Sequence, residues 1–118
     1  MRTWFLAGAL ALAGLLAPCP SAADDECPNH EPSVAALRTC VEHAFAAGHI
    51  TSAGVAAGLL AKLDAAQGAL DRGQPNTAAA QLQAFIREVQ AQGGRHIEPP
   101  HDRHLLMHAE AVLAALGE

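Results

Sequence analysis

The chain has no tyrosine, and its aromatic side chains are one tryptophan and three phenylalanines among 118 residues. Trp4 and Phe5 lie in an N-terminal stretch expected to be removed, which leaves Phe45 and Phe85. Sugars and single-stranded nucleic acids are commonly gripped by aromatic faces, and this protein offers almost none. Cationic charge is also scarce, with seven Lys and Arg against twelve Asp and Glu and a formal net charge of -5. Such a balance argues against nucleic acid and against anionic membrane surfaces. No segment alternates β-branched and polar residues in the way a strand requires. A glycine-rich phosphate loop after a strand is missing, and so is a CxxCH haem-attachment motif.

Long apolar runs are confined to the N-terminus. Arg2 supplies a positive start, and Trp4 to Leu16 is uncharged, interrupted only by Gly8 and Gly14. Pro18 and Pro20 break any helix there, and Ser21-Ala22-Ala23 presents the small residues that a signal peptidase reads. The expectation is a signal peptide over residues 1–23, cut after Ala23. A transmembrane anchor is the alternative, but an anchor needs about 20 apolar residues and the prolines come too early. Leu16-Ala17-Pro18-Cys19 is a poor lipoprotein box, because Pro18 stands where a small residue is needed. After processing the chain has no further membrane span, and it is expected to be secreted or periplasmic.

Cysteine usage fits export. With Cys19 discarded, Cys27 and Cys40 remain as an even pair, and in an oxidising compartment the pair reads as one disulfide. Two free thiols are the alternative. Cys40 should lie about two turns into the first helix, roughly 10 Å from its start at 1.5 Å per residue. The segment from Cys27 to Ser33 can span about 20 Å, enough to fold back beside that helix. Closing so short a loop contributes on the order of 3 kcal/mol in the chain-entropy model.

Residues 24–32 read as a polar, proline-punctuated leader and residues 33–117 as four helices. The first is expected over Val34 to Ala47, with Ser33 as cap, Gly48 as stop, and Val34, Leu37, Val41, Ala44 and Phe45 at helical spacing. A second opens at Thr51-Ser52 and closes at Gly73, with a stripe of Leu59, Leu60, Leu63, Ala66 and Leu70. Gly58 and Gly68 each cost about 1 kcal/mol there against alanine, a cost that close helix approach would explain. The third begins between Pro75 and Thr77 and ends at Gly93-Gly94. Its Ala78, Leu82, Phe85, Ile86 and Val89 fall within roughly 100° of arc. A fourth starts between Pro100 and Asp102 and runs to Leu116, with Gly117 after it, burying Leu105, Ala109, Val112, Leu113 and Leu116. Four amphipathic helices on short loops predict an all-α fold, a small antiparallel four-helix bundle.

Catalytic inventory is thin. The hydroxyl residues left after processing are Ser33, Thr39, Thr51, Ser52 and Thr77, and four of them sit at predicted helix starts, where capping explains them. No nucleophile–base set can be assembled, so no enzymatic activity is expected. The enrichment is in histidine: His30, His43, His49, His101, His104 and His108, besides His96. His104 and His108 are i, i+4 on the fourth helix, and His101 joins them if that helix begins early. These three are the candidate ligands for zinc or copper. The competing expectation makes them boundary residues with one ring nitrogen in water.

The order of signals from Leu37 to Leu116 resembles the FIMAH domain of bacterial extracellular proteins. The resemblance is carried by Gly48-His49-Ile50, by Leu59-Leu60-Ala61-Lys62-Leu63 with Ala66, and by Gly73 and Ala78. It continues through Leu82-Gln83-Ala84-Phe85-Ile86-Arg87-Glu88-Val89, Gly94 and the helix from Ala109 to Leu116. That family occurs mostly as a module appended to secreted hydrolases and other exported enzymes, with no agreed catalytic residues. The resemblance therefore implies an extracytoplasmic, non-catalytic domain and nothing sharper; the expectation for the chain as a whole is an interaction module whose partner is another extracytoplasmic protein. The stretch Arg95 to His104 and the lack of an attached enzyme within these residues depart from the family's usual setting.

Overall fold

The computed structural model describes Cys27 and residues 29–117. The expected signal peptide over residues 1–23, its expected cleavage after Ala23 and leader residues 24–26 and 28 lie outside the described residues. Four helices follow: α1 (Val34–Ala46), α2 (Ala53–Asp71), α3 (Pro75–Gln92) and α4 (His101–Ala115). Local chemistry sets their starts. Ser33 and Ser52 are extended, and their hydroxyls accept from the Ala36 and Val55 N–H groups at 3.1 and 3.2 Å, which satisfies donors that the first helical turn leaves open. The α3 start uses Pro75 at its first position with no side-chain cap, where a missing N–H costs nothing. Thr77 therefore lies inside α3 and does not cap it. Gly48 terminates α1 at φ 88°, a conformation that a side chain disfavours.

Each helix packs against the next, most extensively α2 on α3, and α4 returns to α1. Loops of three to eight residues between neighbours make the helices antiparallel. The core runs along the shared seam: Leu37, Leu59, Leu63, Ala66, Ala69, Ala78, Leu82, Phe85, Val89 and Ala109 are fully buried. Leu60, Leu70, Ile86, Leu113 and Leu116 lie at its edge, partly buried. Phe45, expected in the α1 stripe, is 41% exposed. It lies at the margin of that stripe, beside Ala44, which holds the buried position in the last turn.

Two details depart from the sequence expectation. Gly58 and Gly68 do not serve close helix approach: a Cβ at Gly58 meets nothing within 4 Å, and one at Gly68 touches only the Arg72 guanidinium at 3.4 Å. The glycine that does allow close approach is Gly93, where a Cβ would lie 2.6 Å from Asp102 Oδ2, so the end of α3 can lie against the first turn of α4. At the same end of the bundle the two longer loops are joined. Ile50 and Ile97 form an antiparallel bridge, flanked by Thr51 N–H to His96 O at 2.8 Å and Glu98 N–H to His49 O at 2.9 Å. Both isoleucines are buried, and the bridge seals that end of the core.

Ion pairs tie the outer faces. The Arg38 guanidinium on α1 reaches Asp64 on α2 at 2.8 Å and also contacts Glu42. The hydrogen bond from Arg38 holds the Asp64 carboxyl below the ordinary carboxylate range, against the opposing effect of desolvation. Arg38 is raised in turn by Asp64 and then by Glu42. Lys62 lies 3.6 Å from Glu88 between α2 and α3. Among the described residues no helix is long and apolar enough to cross a membrane.

A histidine-lined pocket beside the disulfide

The candidate site forms where the leader folds back on the α1–α4 face. Cys27 and Cys40 are joined as a disulfide, 13 residues apart with Cα atoms 5.0 Å apart. Cys40 is on the buried side of α1, and His43, three residues on, projects from the same side of the helix. From α4 come His101, His104, Leu105 and His108, whose spacing of three and four residues sets them along one helix face. The leader adds His30. These side chains, with Cys27, Cys40 and Ala44, surround a small cavity of about 30 Å³, room for a single water or ion. Among the described residues no carboxylate lines it. A wider cleft of about 230 Å³ opens beside it between His30, His104, Met107, His108 and Ala111.

His108 is the fixed point of this arrangement. It is 7% exposed, and it is the buried polar side chain among the described residues. Its Nε2 lies 2.6 Å from the Glu31 carbonyl oxygen, a contact in which Nε2–H must donate, because a carbonyl only accepts. In the neutral ring this leaves Nδ1 with its lone pair, 3.3 Å from Cys40 Sγ. A disulfide sulfur carries no proton, so Nδ1 receives no hydrogen bond from it. The sequence expectation of one ring nitrogen in water therefore fails for His108 and fits His104, which is exposed. The reason is the leader: Glu31 and the disulfide close over a face that α4 alone would leave open.

The three proposed ligands share the pocket without sharing one point. His101 stacks on His49, ring centroids 3.6 Å apart and 14° from parallel, and meets His104 edge-on at 5.9 Å. His30 lies 6.1 Å from His108, centroid to centroid. Among the described residues, the ligand-type group whose donor atoms all fall within 4.8 Å of one another is Cys27, Cys40 and His108. Sequence reasoning missed the roles of His30 and His43. A signal was present, because Cys27 and Cys40 each have a histidine three residues on, and a disulfide brings both pairs to one place.

No curated protein and no solved structure matches the chain. The family model of the FIMAH domain matches residues 34–114, from the first residue of α1 to the last turn of α4, and the chain belongs to the FIMAH domain family.

Proposed function

We propose that this chain is an exported, non-catalytic helical module that works by binding another extracytoplasmic protein. The observation that carries the reading is the engagement in structure of both described cysteines and of four of the five hydroxyl residues, all but Thr77. Ser33 and Ser52 cap helices. The Thr39 hydroxyl donates to Ala35 O at 3.2 Å and that of Thr51 to His96 O at 3.4 Å. The two described cysteines are joined to each other. A hydroxyl or thiol needs an adjacent base to act as a nucleophile, and these groups face backbone or sulfur instead. Export is supported by the N-terminal pattern and by a disulfide, which persists in oxidising compartments. Phe45 and Met107, 41% and 65% exposed, supply the residue types enriched at interface cores.

The test is affinity capture from native culture medium and periplasm on immobilised exported protein, read by quantitative mass spectrometry. A protein retained by the folded chain and lost with the Phe45→Ala, Met107→Ala double variant is the expected result. Retention no greater than on a urea-unfolded control overturns the reading. N-terminal mass spectrometry of the exported chain, expected to begin at Asp24 or a near neighbour, tests the export arm by itself.

A second reading is an extracytoplasmic metal-binding protein that uses His101, His104 and His108 with zinc or copper. It is favoured by the cavity on which all three side chains border. Isothermal titration of the disulfide-intact protein, compared with a His101→Ala, His104→Ala variant, tests it. Sub-micromolar binding lost in the variant supports this reading, and no binding by either protein rejects it.

A further inference from the structure

We propose that the Cys27–Cys40 pair is a redox gate on a zinc site, in which the reduced thiolates and His108 Nδ1 bind Zn2+ and disulfide formation expels it. This proposal is independent of both functional readings above, and it shares only His108 with the histidine set on α4.

The geometry is set by His108. Metal-bound histidines nearly always donate the other ring N–H to a carbonyl or carboxylate, which fixes tautomer and orientation. His108 already makes that contact through Nε2 to Glu31 O at 2.6 Å. Its Nδ1 is aimed at the sulfurs, 3.3 Å from Cys40 Sγ. A tetrahedral zinc with sulfur at about 2.3 Å and nitrogen at about 2.0 Å sets those two atoms roughly 3.5 Å apart. The pair is therefore near coordination spacing, and the three donor atoms lie within 4.8 Å of one another. His108 is 7% exposed and Cys40 4%. In the disulfide state the buried ring nitrogen faces a sulfur that has no proton to give it, and in the reduced state Zn2+ between the nitrogen and the thiolates supplies the partner.

Charge and ligand number fit a divalent ion. Two thiolates neutralise Zn2+, and among the described residues no carboxylate lines the cavity to add further negative charge. Structural zinc sites take four ligands, with two cysteines and two histidines a common set. The fourth position falls to His30 or His43, which border the same cavity from the two Cys-x-x-His segments.

The gate is a thiol–disulfide exchange with a dithiol reductant. One thiolate of the reductant attacks Cys27 Sγ, the less buried sulfur. The Cys27–Cys40 bond breaks and Cys40 leaves as the thiolate beside His108. The second thiol of the reductant then displaces Cys27 from the mixed disulfide, and the reductant departs oxidised by two electrons. Zn2+ binds the two protein sulfurs as thiolates, and any proton they carry passes to water. Reoxidation is the reverse exchange: a disulfide oxidant accepts the two electrons and departs as a dithiol, the Cys27–Cys40 bond reforms and Zn2+ is released.

The test is anaerobic zinc titration of the exported chain, phosphine-reduced or oxidised, in competition with a chromophoric chelator. The expected result is one Zn2+ per reduced chain, bound at least about 100-fold more tightly than by the oxidised chain. Cys27→Ser and His108→Ala should each weaken binding by about tenfold or more, while the His101→Ala, His104→Ala variant binds as the wild type. Cobalt in place of zinc should give a thiolate charge-transfer band in the reduced wild type only. Equal binding by reduced and oxidised chains, or full binding by the Cys27→Ser, Cys40→Ser variant, overturns the proposal. If reduction unfolds the chain, zinc should restore its helical circular dichroism in the wild type and not in the Cys27→Ser, Cys40→Ser variant. Failure of zinc to restore the wild type also overturns it.

Discussion

The α2–α3 seam and the α1–α4 face are built from different materials. Between α2 and α3 lie Leu59, Leu63, Ala66, Ala78, Leu82, Phe85 and Val89, all fully buried and all apolar. On the α1–α4 face the leader adds a disulfide, and Cys40 meets a buried histidine whose ring bonds a backbone carbonyl. An aliphatic seam gains from area removed from water, without direction. The second face depends on the position of single atoms, because a buried polar group costs free energy unless its partner is in place. The first region is stabilised by buried area, and the second by a covalent link and by individually placed contacts.

The strongest challenge to that contrast is Phe85→Ala. Phe85 is fully buried at the centre of the apolar seam, and its truncation should cost about 3–5 kcal/mol, a large part of the 5–15 kcal/mol typical of small domains. Gln83→Ala, on the exposed side of the same helix, should change little. Urea unfolding followed by circular dichroism compares them, and equal midpoints would deny the seam its role. On the other face, His108→Ala removes the donor to the Glu31 carbonyl and should cost about 1–3 kcal/mol, whereas His104→Ala, exposed, should fall within about 0.5 kcal/mol of wild type. A reversed order in thermal unfolding would place the buried histidine on the wrong residue.

A smaller effect of opposite sign is expected in α2. Gly58 sits in mid-helix with open space where a Cβ would be, so Gly58→Ala should stabilise by about 0.5–1 kcal/mol. A loss of stability in the same titration would mean that this face is covered by something. The weakest effect concerns the Arg38–Asp64 pair across α1 and α2, whose members are both solvent-accessible. The folded-state carboxyl of Asp64 is lowered, first by the hydrogen bond from Arg38. Its contribution is therefore present above the unfolded carboxyl value, near pH 4, and is lost as pH falls through the lowered folded value. Wild type and Asp64→Asn should differ slightly at neutral pH and converge in acid; divergence in acid would reverse the sign.

Helix positions were legible to within a residue or two, because caps, glycine stops and the 3.6-residue period are local signals. Ser33, Ser52 and Gly48 act where the sequence put them, and the periodicity of α3 marks four of its five buried residues, with Ala79 the fifth and Ile86 only partly buried. Phe45 shows the limit of that reasoning. Its angle places it at the margin of the stripe, and a margin position is buried only if a neighbouring element reaches round to it; beside buried Ala44, Phe45 is left exposed. Ile50 and Ile97 show the converse, since isolated apolar residues in loops have no period to be read. They become core only because two loops meet at one end of the bundle.

The candidate site follows the same division. An even cysteine pair once the expected signal segment is set aside is a compositional fact, and the disulfide could be read from it. The i, i+4 spacing of His104 and His108 was equally plain. What spacing along one helix does not contain is the surface opposite that helix. Sequence by itself determined an all-α chain of four amphipathic segments, an acidic surface poor in aromatics, and one cystine. Only the tertiary structure decided that His108 and not His104 is enclosed, that its free nitrogen faces sulfur, and that His30 and His43 join the same cavity. Periodic burial is encoded within a few successive turns of one helix, whereas a site drawn from leader, α1 and α4 exists only once the chain has closed between residues 27 and 108.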